Sequence, residues 1–271
     1  MLRRTVRPAL ALLAGAVIAA GTTASLAGAA RSAYDAGPPY NYKTEIMTND
    51  VLPLRKAAKI TRTRHGYLYR AGGQDTHLVL KRRNGKLRFV DTGTPELKRL
   101  PNACRRLKVR GGIGAACRIH GGPTKRRPLL VEVWPRLGHD FVDSSTLPAT
   151  FALTMLGDEG RDVARFGAGP DYFNGHTQHD RISGGAGRDW IRAGRHDDKV
   201  KGGPGADDLI GMGDRDTMYG GDGDDRMAGM EGADRLYGDA GADRLLCGEG
   251  QDWAQINKDE DSHFGSCESS G

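Results

Sequence analysis

The nonapeptides GGAGRDWIR (Gly184–Arg192), GGPGADDLI (Gly202–Ile210) and GGDGDDRMA (Gly220–Ala228) decide the fold, because their nine-residue period continues on both sides. Eleven repeats run without a gap from Gly157 to Gln255, and each has aspartate at its sixth position: Asp162, Asp171, Asp180, Asp189, Asp198, Asp207, Asp216, Asp225, Asp234, Asp243 and Asp252. Two residues after each aspartate the side chain is apolar, from Ala164 and Phe173 through Ile191, Leu209 and Met227 to Leu245 and Ala254. One apolar residue per nine cannot line a helix. It suits a three-residue strand whose middle side chain points inward, followed by a six-residue glycine turn. Two such units make an eighteen-residue coil with two parallel strands, and the chain winds as a solenoid.

Repeats n and n+2 then lie on one side, with successive coils roughly 4.8 Å apart, so the aspartates stack in two columns. Carboxylates at that spacing repel by about 1 kcal/mol in bulk water and by more near a protein surface, so the columns require cations between coils. Glycine reaches positive φ and lets turn carbonyls face the same space. Carboxylate and carbonyl oxygens, without thiolate or imidazole, suit a hard cation, and calcium tolerates irregular oxygen coordination better than magnesium.

The segment resembles the RTX, or haemolysin-type, calcium-binding repeats, whose pattern is GGxGxDxUx. The resemblance covers 99 of the 271 residues. It implies a mainly β protein with a C-terminal right-handed parallel β-roll, calcium lying between consecutive turns. Carried over, the ligand-bearing positions are Asp189, Asp207 and Asp225 with Gly184, Gly185, Gly187, Gly202, Gly203, Gly205, Gly220, Gly221 and Gly223. Asp171 and Asp243 belong to the same, stronger face, whose five loops enclose four gaps and imply about four calcium ions. The other face carries Asp162, Asp180, Asp198, Asp216, Asp234 and Asp252. Three of its turns have Gln178, His196 and Asp214 in place of the fourth glycine, so it is expected to bind calcium more weakly. His176, His179 and His196 cluster on these turns and raise the alternative of a transition-metal site, against exposed histidines in degenerate repeats. Because each strand buries little, ion binding and folding are expected to be coupled.

Outside the repeats, Met1 to about Ala30 reads as a cleaved secretory signal: Arg3, Arg4 and Arg7, an apolar stretch from Ala9 to Ala20, then small residues. No later stretch is long and apolar enough to span a membrane as a helix. Secretion, to the extracellular space or cell surface, agrees with extracellular calcium and with cysteines in disulfides. Of the three pairings four cysteines permit, the local one, Cys104 with Cys117 and Cys247 with Cys267, is expected. The second would hold the tail, residues 256–271, over the open end of the roll as a cap.

Residues 31–156 form a different, basic and β-rich region. From Asn41 to Leu156 there are 23 Lys and Arg against 8 Asp and Glu, whereas the repeats carry 12 against 21, so the net charge of +6 joins two oppositely charged parts. Asn84-Gly85 between His77–Leu80 and Lys86–Val90 predicts a hairpin with a type I′ turn. Further strands are expected at Arg106–Val109, Leu129–Trp134 and Phe151–Met155. Gly138-His139-Asp140-Phe141-Val142 keeps the later G-x-D-x-U spacing, so the solenoid is expected to begin around Val131. This layout is similar to secreted actinobacterial calcium-binding proteins of the RTX type. No HExxH, GxSxG or GxxxxGK[ST] motif occurs, and His65, His77, His120 and His139 are scattered, so no catalysis is expected; a cryptic extracellular hydrolase is the third reading, behind calcium binding and an anionic-polymer binder that uses the roll as a calcium-dependent scaffold. The clusters Lys81–Arg83, Arg105-Arg106 and Lys125–Arg127 suit an anionic cell-wall polymer or polysaccharide. Aromatic residues are few, which argues against specific nucleic-acid recognition.

Overall fold

The computed structural model describes residues 56–256, 261–264 and 267–270; the expected signal segment and the start of the basic region lie outside the described residues. Among the described residues every regular element is a strand. Seven strands come first: β1 (Ala57–Arg62), β2 (Gly66–Arg70), β3 (His77–Arg83), β4 (Lys86–Asp91), β5 (Glu96–Arg99), β6 (Cys104–Arg106) and β7 (Ile113–Arg118). Regular winding follows through β8 (Leu129–Trp134), β9 (Phe141–Asp143), β10 (Phe151–Leu156), β11 (Val163–Arg165), β12 (Tyr172–Asn174) and β13 (Arg181–Ser183). It continues through β14 (Trp190–Arg195), β15 (Lys199–Pro204), β16 (Asp208–Gly213), β17 (Thr217–Asp222), β18 (Arg226–Glu231) and β19 (Arg235–Ala240). The last strands are β20 (Arg244–Glu249), β21 (Trp253–Gln255), β22 (Ser262–Phe264) and β23 (Glu268–Ser270).

Even-numbered strands from β8 to β22 stack in parallel in one sheet and odd-numbered strands from β9 to β23 in the other, the parallel solenoid expected from the nine-residue period. Partners in the repeats are eighteen residues apart, as in Ile191↔Leu209 and Val200↔Met218. The apolar column fills the space between the sheets: Phe173, Ile191, Val200, Leu209, Met218, Met227, Leu236 and Leu245 are fully buried. The winding begins at β8, close to the expected Val131.

From β14 to β20 the strands hold six residues, not three. Pairing continues through the glycines, as in Gly203↔Gly221, because glycine brings neighbouring backbones close enough to extend the ladder. The turn proper shrinks to three residues.

Both sheets cross residue 156 without a break. β2 and β3 pair in parallel with β8 and β9, adding one more turn. The chain then reverses: β1 lies antiparallel to β2, and β4 antiparallel to β3 and β7. The hairpin forms as predicted, with Asn84 and Gly85 at φ 51° and 66°, the pair of left-handed residues a type I′ turn requires. The strand expected at Arg106–Val109 lies earlier, at Cys104–Arg106, where Cys104 faces its disulfide partner Cys117 across the ladder. Leu78, Leu80, Leu87, Phe89, Tyr67 and Tyr69 continue the repeat core into this region. Asp91, buried at the end of β4, accepts the Tyr69 hydroxyl and the N–H groups of His77, Gly93 and Thr94.

At the other end, β22 and β23 pair in parallel with β20 and β21, so the tail extends the winding by another coil. The Cys247–Cys267 disulfide ties this coil to the one before it.

Candidate metal centre

Each repeat aspartate sits where a turn enters a strand and is at most 5% exposed. It is held there by the neighbouring coil. The Asp189 N–H donates to Asp207 Oδ1, Asp207 to Asp225 and Asp225 to Asp243, and the other edge repeats the pattern from Asp162 through Asp180, Asp198, Asp216 and Asp234 to Asp252. These bonds measure 2.6 to 2.9 Å. The eighteen-residue register thus brings every sequence-predicted aspartate into one of two columns.

Each ladder occupies one carboxylate oxygen. The second, Oδ2, is buried without a hydrogen-bond partner in Asp162, Asp180, Asp189, Asp198, Asp207, Asp216, Asp225, Asp234, Asp243 and Asp252. A buried oxygen of this kind costs free energy unless something charged or polar meets it. In Asp162, Asp180, Asp189, Asp207, Asp216, Asp225 and Asp234 the oxygen lies against the first glycine of its own turn, where a carbonyl from the next coil also arrives; Ala193 and Cys247 stand at that position before Asp198 and Asp252. A Cβ built on Gly184 would meet Asp189 Oδ2 and come within 2.8 Å of the Gly202 carbonyl oxygen. At Gly220 it would meet Asp225 Oδ2 and, at 2.7 Å, the Gly238 oxygen. The missing side chain leaves a cradle lined by carboxylate and carbonyl oxygens, the donor set of calcium.

Desolvation sets the electrostatics. Burial pushes Asp180 up to about 9, Asp189 and Asp216 to about 8, and Asp207 and Asp225 to about 7, with neighbouring aspartates adding to the rise. Asp243 and Asp234, nearer the end of the columns, rise only to about 6. A cation in the cradles would restore the ionised form that burial opposes.

The two edges differ in their turns rather than in their aspartates. At the fourth turn position Gly187, Gly205, Gly223 and Gly241 take φ between 129° and 148°, which side chains rarely adopt. Gln178, His196 and Asp214 take 72° to 78° there, a left-handed conformation that a side chain can reach at some cost. Their side chains then bridge coils directly: the Gln178 N–H donates to His196 Nδ1 at 3.1 Å, and the His196 N–H to Asp214 Oδ2 at 2.9 Å. His179 Nδ1 meets the Asp197 carbonyl at 2.9 Å and acts as the donor. His196 Nδ1 is an acceptor, so its neutral ring carries the proton on Nε2, while His179 carries it on Nδ1. The two rings lie 5.7 Å apart with opposite tautomers, an arrangement not preorganised to chelate one transition metal.

Asp171 differs from the rest of its column. Its Oδ2 accepts the Gly167 N–H at 3.1 Å, Phe166 fills the first turn position, and neither Gly167 nor Gly169 has positive φ. Two further aspartates join the columns. Asp140 Oδ1 accepts the Thr76 N–H, its Oδ2 is buried and unpartnered, and burial lifts it to about 8. Its G-x-D-x-U spacing marked it in sequence, but it stands 22 residues before Asp162, four more than a coil. Asp261 receives the Asp243 N–H at 3.0 Å and falls nine residues after Asp252, a continuation of the period that the less apolar tail obscures. Beyond Asp252 the equivalent position is Cys267, so the disulfide closes that column.

Of the scattered histidines, His139 Nδ1 accepts the Arg161 N–H and His77 packs on the Phe141 ring at 4.5 Å. Of the basic clusters, Lys81–Arg83 lies on β3, Arg105-Arg106 on β6, and Lys125–Arg127 in the turn between β7 and β8.

Comparison with known families gives overlapping matches across residues 156–254 to the RTX calcium-binding nonapeptide repeat, a family unit of four copies. No curated protein and no solved structure matches the chain. The matched span coincides with the two aspartate columns and their cradles, and over these residues the chain carries RTX-type calcium-binding nonapeptide repeats.

Proposed function

We propose that the protein is secreted and that its roll, folded by calcium, serves as a structural and interaction module outside the cell, without catalysis of its own. The observation that carries this reading is the row of buried, unpartnered Oδ2 atoms, of which those of Asp162, Asp180, Asp189, Asp207, Asp216, Asp225 and Asp234 lie beside a glycine cradle that a carbonyl completes. When bound, calcium supplies the positive charge that lets adjacent coils keep ionised carboxylates in contact. The chain positions the oxygens: Asp189, Asp207, Asp225 and Asp243 with Gly184, Gly202, Gly220 and Gly238 hold the stronger edge. About four ions fit there, and the gap beside Asp171 is the weakest because Gly167 already uses its oxygen. The edge carrying Gln178, His196 and Asp214 binds less, since its central turns are already joined by side chains. Export is supported by the leader-like sequence of residues 1–30 and by the two disulfides. The surplus cations of the basic region make an anionic polymer the partner class that fits.

Far-UV circular dichroism of the mature chain under calcium titration, with magnesium as control, tests the reading. Calcium should raise the β signal, and Asp189→Ala, Asp207→Ala and Asp225→Ala together should abolish the rise. A signal indifferent to calcium would remove the roll from the function.

A further inference from the structure

The outer face of the twelve-stranded sheet gathers cations from both parts of the chain. On the hairpin, Lys81 is directly opposite Arg88, and Lys86 lies between Arg83 and Arg118. On the roll, Arg181 is directly opposite Lys199. Like charges in directly opposed positions destabilise a sheet. Arg235 stands in the same cross-strand row, Arg165 and Lys201 stand in the next row along the strands, and all three are exposed, as are Lys81, Arg83, Arg118, Arg181 and Lys199. The two ion pairs among the described residues both centre on Asp208 of the other sheet, so none of these cations is paired. Asp143 is engaged by the Ser145 N–H and hydroxyl, and the exposed Asp222 and Asp239, at the C-terminal ends of β17 and β19, are the acids nearest Lys201. The acidic repeats therefore present a basic face, because their carboxylates lie in the turns and buried columns.

The face is narrow. Outward side chains form rows roughly 7 Å apart along each strand, while the run from β7 to β19 extends roughly 40 Å at about 4.8 Å per strand. A ribbon of unpaired cations matches a linear polymer better than a plane. It also lacks a stacking platform for bases: Tyr219 and Tyr237 lie face to face at 4.6 Å and 9°, and Lys199 and Lys201 cover Tyr219. We infer that this face binds a linear anionic glycopolymer, one bearing carboxylate or phosphate groups, and that calcium gates the roll's share by stacking the coils that align Arg181, Lys199 and Lys201. The inference rests on the calcium-folded roll and the partner class proposed above.

The test measures binding of the full mature chain to hyaluronate and to polyglycerol phosphate, with neutral dextran as control, in calcium and in EDTA. The two polyanions separate carboxylate from phosphate preference. Calcium-loaded protein should bind at least one of them with strong salt dependence. Arg181→Gln/Lys199→Gln/Lys201→Gln should weaken binding roughly tenfold, the sum of three exposed ion contacts. Lys81→Gln/Lys86→Gln/Arg88→Gln should do the same, and Lys125→Gln/Arg126→Gln/Arg127→Gln, off this face, should change it less than twofold. EDTA should reduce the wild type to the level of the roll variant. Equal losses from the off-face triple would reduce the effect to net charge and overturn the inference. So would unchanged binding in the roll variant, or tighter binding to duplex DNA or to anionic vesicles. Circular dichroism on the same samples separates the two readings: absence of a calcium response with intact hairpin-dependent binding would sink the gate and the calcium-folded roll, not the polymer site.

Discussion

Filling one cradle with a single methyl group probes the metal centre without removing a charge. Gly202 does not have positive φ, so alanine there adds no backbone strain. Its Cβ would meet Asp207 Oδ2 and come within 2.6 Å of the Gly220 carbonyl oxygen, the two atoms that close the cradle. One of them must move, and forcing a methyl into a packed site costs about 1–3 kcal/mol. The cost falls on the folded arrangement to which calcium binding is coupled, so the calcium midpoint for folding of Gly202→Ala should rise by about tenfold, within a range of roughly 5- to 150-fold. Gly213→Ala is the matched control: a Cβ there meets nothing within 4 Å and its φ is not positive. Calcium titrations followed by circular dichroism and by calorimetry would measure midpoint and stoichiometry for both variants. A Gly202→Ala midpoint within twofold of wild type, or an equal shift in Gly213→Ala, would refute the assignment of the cradle as a ligand site.

Acidification should strengthen the ion-free roll. Burial raises these carboxyls to about 6 to 9 in the folded state, against about 3.9 unfolded, so the folded state binds more protons. Their contribution is complete below about pH 4 and is lost as pH rises through the raised values, so the β signal by circular dichroism in EDTA should grow as pH falls from 9 to 5; a flat or falling trend would contradict it. Restoring glycine with Gln178→Gly/His196→Gly/Asp214→Gly should increase the number of calcium ions bound while raising the calcium needed to reach half the folded β signal, since the direct bridges disappear. Unchanged stoichiometry by calorimetry would show that these turns do not govern the edge. Replacing Cys247 and Cys267 by serine should cost roughly 3 kcal/mol and expose the amides of β20 and β22 to hydrogen exchange, while leaving Cys104–Cys117 and β4–β7 protected. Equal loosening of both ends would argue that the disulfide acts globally.

The nine-residue period alone determined that the strands stack in parallel, that Leu209 and Met218 face the core, and that Asp189, Asp207 and Asp225 share a column. It could do so because each of those contacts joins residue i to residue i+18, a separation set by counting. Wherever that separation breaks, only the tertiary structure decides. Asp140 enters its column across a coil four residues too long, Asp171 loses an oxygen to Gly167 within a turn whose glycines match the pattern, and Cys267 replaces an aspartate in a shortened last coil. The N-terminal strands pair at separations no period encodes, antiparallel in β1–β2 and β3–β4–β7 and parallel where β2 and β3 meet β8 and β9, so the joining of the basic region to the repeats through both sheets could not be read from composition. The basic face has the same origin. The repeats are acidic when counted along the chain, but folding sends their aspartates into buried columns and turns and leaves Arg181, Lys199 and Lys201 outward on the same sheet face as the cations of the hairpin.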